Sequence, residues 1–215
     1  MSKLFRLYKK LLKKYGYQGW WPIIGINKDG YHPADYSYPK NKKQIFEIAV
    51  GAILTQNTTW KNAAKAIENL RSANLLDPIK LLSSPKNKII KLIKSAGYYN
   101  QKAKKLIYFS KFFKKIKNKI PKRQELLKIW GIGPETADSI LLYAYKQPYF
   151  IVDKYTYRFL QKYKLIKKSQ KFDYEKIRAF IESEIKKDYK IYQEFHALIV
   201  QEQKLNKKLN KLKRV

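Results

Sequence analysis

The chain has 215 residues, 45% of them hydrophobic, which suffices for one packed domain or two joined lobes. Its 48 basic and 16 acidic side chains leave a formal net charge of +32, so a polyanion is the natural partner, with nucleic acid, a membrane surface and ribosomal RNA all open on charge alone. Cysteine is absent, which excludes disulfides, thiol catalysis and any cysteine-held zinc or iron–sulfur centre, and the two histidines, His32 and His196, do not make a metal cluster.

The first stretch, "MSKLFRLYKKLLKKYGY", is basic and amphipathic. It lacks the long apolar core and small-residue cleavage site of a secretory signal, and it predicts a surface helix. No stretch approaches the ~18 apolar residues of a membrane span. The expectation is an intracellular, cytoplasmic and nucleoid-associated protein with no membrane partner. Residues 20 to 42, rich in Gly, Pro, Asp and Tyr, predict an irregular loop that opens on "WWP". Phe46, Ala49, Val50, Ile53 and Leu54 then recur at helical spacing, as do Trp60, Ala63, Ala64 and Ile67. Five polar residues, "TQNTT", break the stripe between them.

Ser84 as N-cap, Pro85 at the first helical position and Gly97 as the stop predict a helix with Ile89, Leu92, Ile93 and Ala96 inward. Asn100 is placed to cap another that carries Ala103, Leu106 and Ile107. Pro121 opens a helix ending at Trp130, and Pro134 starts one with Ala137, Ile140, Leu141 and Ala144 on its apolar face. Two or three further helices follow from about Tyr174, with Ile177, Phe180, Ile181, Phe195 and Ile199 inward. No alternating pattern exceeds "PYFIV". The fold class is all-α. The tail after Lys204 is strongly basic and reads either as a helix end or as an arm on DNA.

Between the helices that end at Trp130 and begin at Pro134 lies a hairpin, Gly131-Ile132-Gly133. Both glycines can take positive φ and bring backbone close to a ligand. The N–H groups of the turn and of the next helical turn carry partial positive charge, which suits a nucleic-acid phosphate. The bland alternative is a turn that only tightens a helix corner. Asp153 follows an apolar run, where a lone aspartate is often just a helix N-cap.

The run "LLKIWGIGPETADSILLYAYKQPYFIVDKYTYRFL" resembles the helix–hairpin–helix, Gly/Pro-rich loop and aspartate signature of the endonuclease III (helix–hairpin–helix-GPD) superfamily of DNA glycosylases. The similarity extends from about Trp20 to Lys204. It takes in "AVGAILTQNTTWKNAAKAIENL", "AGYYNQKAKKL" and "EFHALIVQEQK", and the shared "WWP", "TQNT", "YNQKAK", "GIG-x-E" and "VDKY" point to the type III 3-methyladenine (MagIII) branch. The resemblance implies a two-lobed fold without the iron–sulfur cluster of many relatives. One lobe spans 41–146, has six helices and contains the hairpin; the other is assembled from 1–40 and 147–215.

It also implies roles. Asp153 falls on the catalytic aspartate, whose carboxylate stabilises an oxocarbenium-like sugar and orients or activates the attacking water. Trp20, Trp21 and Pro22 match the branch's pocket loop, and Phe46 a further aromatic position. An electron-rich ring attracts a flipped, cationic alkylated purine. Against this, the two tryptophans can serve as core anchors. Lys204 matches a pocket-edge lysine, although an ammonium there repels a cationic base. Asn57 sits where relatives insert a side chain into the gap left by the flipped base, with Gln56 the alternative if the register slips by one. Gly131, Ile132, Gly133 and Lys154 are phosphate contacts. Bifunctional relatives carry a Schiff-base lysine in the hairpin's second helix, where this chain has Glu135 at the pocket, so strand cleavage is not implied.

The expected protein is therefore a monomeric, monofunctional glycosylase that excises 3-methyladenine-type purines from damaged duplex DNA, without cofactor or metal. The alternatives are a mismatch or oxidised-base glycosylase on the same scaffold, and a non-catalytic helix–hairpin–helix DNA-binding protein.

Overall fold

A computed structural model of the chain describes residues 1–117, 119–167, 169 and 171–212, with side chains through Leu205. The side chains of the basic tail beyond Leu205, expected as a helix end or an arm on DNA, lie outside the described residues. The helices are α1 (Lys3–Tyr15), α2 (Lys42–Leu54), α3 (Trp60–Ser72), α4 (Pro78–Leu82), α5 (Lys86–Leu92), α6 (Tyr99–Ile116), α7 (Arg123–Leu127), α8 (Pro134–Ser139), α9 (Lys154–Lys162), α10 (Tyr174–Glu184) and α11 (Tyr189–Leu212). A 3₁₀ turn at Lys94–Ala96 follows α5, and a π-helical turn at Ile140–Ala144 continues α8. No strand forms among the described residues, so the chain is all-α. No helix among them is long and apolar enough to cross a membrane.

Two compact units result. One comprises Trp21–Tyr31 and Ser37–Tyr145. Its centre is α2, in which every residue from Phe46 to Leu54 is buried. Asn41 starts this helix by accepting from the Gln44 N–H at 3.1 Å. Helices α3, α6 and α8 and the π turn pack around it. Lys102, only 2% exposed, donates to the Leu54 carbonyl at 2.9 Å and the Ala96 carbonyl at 2.8 Å, closing the ends of α2 and the 3₁₀ turn. Burial lowers its pKa to about 8.

The other unit comprises Met1–Trp20, His32–Tyr36 and the chain from Lys146 onward. Helix α11 packs on α9 and α1, and α1 also meets α10. Tyr8, Phe150, Phe159 and Tyr192 surround Phe195 or one another with ring centroids 5.4 to 5.9 Å apart, which makes this core aromatic. Against the lobe limits expected from sequence, Trp21–Tyr31 and the run from Ser37 belong with the α2 unit. Within that unit Glu47 accepts from the Ile24 N–H at 2.6 Å and the Arg71 guanidinium donates to the Ile24 carbonyl, so loop and helix are clamped together.

Several local details differ from the sequence expectations. Ser84 does not cap α5; Pro85 stands at the N-cap without a side-chain hydrogen bond. Asn100 lies inside α6, whose N-cap is Tyr98 in the left-handed region. The helix expected from Pro121 to Trp130 forms only over Arg123–Leu127, because the turn into the hairpin begins at Lys128. Gly97 does end the 3₁₀ turn with φ 70°.

Candidate active site

Apolar Phe150, Ile151 and Val152, each no more than 1% exposed, anchor an extended segment in the core and deliver Asp153 to the start of α9. The aspartate is the N-cap, with Oδ1 accepting from the Thr156 N–H at 2.7 Å. Thr156 is fully buried, and its own hydroxyl donates to the Ile151 carbonyl at 3.3 Å. The bland reading of Asp153 is thus correct for one carboxylate oxygen. The other, Oδ2, lies 3.5 Å from Nε2 of His196 on α11, long for a hydrogen bond but within ion-pair reach. Burial pushes the Asp153 carboxyl up, but His196 and the Thr156 donors outweigh it and hold the pKa below the usual aspartate value. The group is therefore an anion, with a side chain 16% exposed.

The half-buried Trp20 meets His196 edge-on, with centroids 5.8 Å apart at 83°. The Lys204 ammonium lies over the same indole, 5.7 Å from its centroid. Desolvation lowers the Lys204 pKa, and the Asp153 charge opposes that shift. Asp153, His196, Trp20 and Lys204 thus form one cluster inside one unit. His196 was not singled out from the sequence as a site residue. The available signal was a histidine amid the buried run of α11, next to Phe195 and one helical turn from Tyr192 and Ile199.

The other candidates belong to the α2 unit. Trp21, 8% exposed, packs edge-on to Trp60 at 5.5 Å and against Tyr143 at 5.3 Å. A Cβ at Gly51 would stand 2.9 Å from the Trp21 indole nitrogen, which explains a glycine inside α2 despite its cost of ~1 kcal/mol relative to alanine. Pro22 is buried beside it in sequence. Phe46, 1% exposed, packs against Phe109 and Phe113 at 6.2 and 5.1 Å.

In the hairpin, Gly131 takes φ 82° and lies against the Lys105 stem, where a Cβ would meet Cε at 2.6 Å. Gly133 instead is extended, with φ −91° and ψ 179°, so its value is not left-handed freedom. An added Cβ there meets nothing within 4 Å, and as the N-cap of α8 Gly133 supplies no side-chain hydrogen bond. Its outward face can therefore be approached closely. Ile132 is 4% exposed, and its N–H bonds the Ile129 carbonyl at 3.0 Å, so its side chain fastens the turn from inside. Glu135 and Lys154 are exposed. Asp138, fully buried, accepts from Arg123 Nε at 2.7 Å and Nη2 at 3.1 Å, a two-pronged pair that joins α7 to α8. Among the described residues no group of His, Cys, Asp and Glu side chains is placed to hold a metal ion.

The profile of the family described as "HhH-GPD superfamily base excision DNA repair protein" matches residues 50–187. A Methanocaldococcus jannaschii protein provisionally named as a DNA repair glycosylase is 41% identical over 209 residues, covering 92% of this chain and 86% of its own length. Endonuclease III of Thermotoga maritima is 30% identical over 125 residues, 56% of this chain and 58% of that protein. The crystal structure of H. pylori 3-methyladenine DNA glycosylase (MagIII) bound to 1,N6-ethenoadenine superposes with a TM-score of 0.73 at 29% identity, covering 94% of this chain and 98% of that one. A trapped endonuclease III–DNA covalent intermediate superposes at 0.71 with 16% identity, covering 93% and 85%, a likeness of fold alone.

Proposed function

This chain belongs to the HhH-GPD superfamily of base excision DNA repair proteins, and from that premise we propose a monofunctional DNA glycosylase that releases 3-methyladenine-type alkylated purines from duplex DNA. The observation that carries the reading is the anionic Asp153 clustered with the half-buried Trp20. N3-alkylation leaves a purine cationic while it is joined to the sugar. Breaking the C1′–N9 bond sends the electron pair to the base, which departs neutral, so no acid is needed. The developing positive charge falls on the sugar, where a desolvated carboxylate is most effective. Thr156 holds one oxygen of that carboxylate, and this reading assigns the other, beside His196, to the sugar cation and to the water that adds at C1′. That water's proton leaves to Asp153 or to solvent.

Trp20 supplies a π face for the flipped base, and the basic surface of a +32 chain supplies the grip on duplex. The similarity to the H. pylori enzyme supports the alkylated-base assignment. In the hairpin, Gly133 and the uncapped start of α8 suit a phosphate, while Trp21, on Trp60 and Tyr143, and Phe46, on Phe109 and Phe113, serve as packing within their own unit. Glu135 in place of an amine supports a reaction that stops at the abasic site.

The test is chromatography of free bases released from methylated duplex, with unmodified duplex as control. Release of 3-methyladenine from the methylated duplex alone is expected. Release of thymine from a mismatch or of 8-oxoguanine, with methylated duplex untouched, would overturn the substrate assignment.

A further inference from the structure

The turn between α2 and α3 presents two adjacent amides in opposite circumstances. Asn57 is exposed and takes the left-handed backbone with φ 52°, a conformation asparagine tolerates better than most residues. Gln56 is half-buried and engaged on three sides. Its Oε1 accepts from Lys105 Nζ at 2.5 Å, and its Nε2 donates to Thr136 Oγ1 at 2.7 Å and to the Gly131 carbonyl at 3.2 Å. A carboxamide offers two lone pairs and two N–H groups, so most of this capacity is used inside the protein.

The partners are placed with purpose. Gly131 opens the hairpin, and Thr136, 6% exposed, sits in the first turn of α8 just beyond it. Lys105 runs against Gly131 with its ammonium partly desolvated, and its bond to Gln56 is charge-assisted. To leave the surface, the Gln56 side chain would have to break all three bonds, including the charge-assisted one from Lys105.

We propose that Gln56 is a positioning residue that acts through Asn57: it latches the α2–α3 turn to both ends of the hairpin, so that a phosphate seated at the hairpin sets Asn57 in register to fill the gap left by a flipped nucleotide. The inference rests on the glycosylase reading for its setting. It assigns Gln56 and Lys105 a coupling role in a turn whose Asn57 the family resemblance already places at the gap.

The experiment uses a duplex with 2-aminopurine next to a tetrahydrofuran abasic site, whose fluorescence reports a side chain entering the gap without requiring base release. Asn57→Gly removes the side chain while keeping the left-handed backbone accessible, Gln56→Ala removes the latch, and Gln56→Glu keeps a partner for Lys105 but lacks both N–H donors. All three variants should bind duplex with little change and lose most of the fluorescence response. The double variant Gln56→Ala/Asn57→Gly should be no worse than Asn57→Gly alone. Base release from methylated duplex should fall by roughly 10-fold in each, while release from a methylated single strand, which needs no gap filled, is retained.

Loss of response in Gln56→Ala with a normal Asn57→Gly would overturn the proposal by making Gln56 the inserted residue. Additive losses, a wild-type response from Gln56→Glu, or no change in any variant would overturn it as well. Thermal melting separates a lost latch from a lost fold, since Gln56→Glu must melt close to the parent for its result to count as loss of the latch. A protein that shows this fluorescence pattern but releases no base would sink the glycosylase reading alone.

Discussion

Asp153 shows how one side chain serves two masters at the residue scale. Its capping of α9 through Thr156 is structural, while the second oxygen faces His196, whose ring Trp20 meets edge-on. Asparagine is an equally good N-cap, so Asp153→Asn removes charge with little loss of fold. Base release is expected to fall by at least ~100-fold, about 2.7 kcal/mol of transition-state stabilisation, while binding to damaged duplex persists. Single-turnover release kinetics check this, and a near-normal rate removes Asp153 from the chemistry. Because its pKa is depressed, the charge and its contribution to stability are present above the ordinary aspartate range and are lost only as pH falls through the lower, folded value.

Glu47 behaves in the opposite sense. It is 7% exposed, and burial raises its pKa to about 7, although the Ile24 N–H and the Arg71 charge pull the other way. Between about pH 4.5 and 7 the unfolded chain has released this proton and the folded chain has not. Stability therefore falls as pH rises through that window, by about 3 kcal/mol at most, and is flat above it. Glu47→Gln keeps an oxygen for Ile24 and should flatten this part of the profile of melting temperature against pH. An unchanged slope would assign the pH dependence elsewhere.

At the scale of elements, the hairpin is held by a core residue and an ion pair rather than by its glycines alone. Ile132 plugs inward, and Arg123–Asp138 ties α7 to α8. The two glycines do different work: Gly131 needs positive φ and leaves room for Lys105, whereas Gly133 is extended and unobstructed. Gly133→Val should accordingly leave melting nearly unchanged, because valine is at ease in extended backbone and a Cβ there has open space around it. It should weaken binding to damaged and undamaged duplexes alike, by roughly 10-fold for one lost phosphate approach. Fluorescence anisotropy on the two duplexes measures this. A loss confined to the damaged duplex would place Gly133 in base selection instead.

For the whole molecule, the excess of 32 positive charges predicts duplex affinity that declines steeply with salt, as counterions released from DNA are returned. So many lysines also bear on the end point, because an incidental amine can react slowly with an abasic aldehyde. We expect nicking to lag base release by orders of magnitude and borohydride to trap little covalent adduct, since the position that the resemblance matches to the Schiff-base lysine is the exposed Glu135, which has no amine. Parallel time courses of free base and strand breaks decide the matter. Equal rates would point to another lysine, with Lys154 beside Asp153 the first to replace.

How much of this was legible beforehand follows from the range of the forces involved. Helical periodicity, Pro134 at the start of α8 and the glycines bounding the hairpin are local properties of backbone and side chain, so the all-α class, α2, α3 and the hairpin could be read directly from the sequence. The run "IVDKY" carried the cap at Asp153 for the same reason, since an apolar anchor, a cap and a helix are contiguous there, whereas its place in the chemistry came from the family resemblance. Ser84 and Asn100 misled because capping depends on where packing starts a helix, and α6 begins at Tyr99. Nor does local sequence divide labour among equals. Trp20 and Trp21 are neighbours of identical chemistry, yet one meets His196 and the other Trp60 and Tyr143. Gln56 and Asn57 are both turn amides, and it is Lys105, Gly131 and Thr136, 49, 75 and 80 residues away, that engage the first and not the second. His196 reaches Asp153 across 43 residues of chain, a separation no periodicity encodes. Those choices belong to long-range packing, where burial and hydrogen-bond partners are set by residues far apart in the chain.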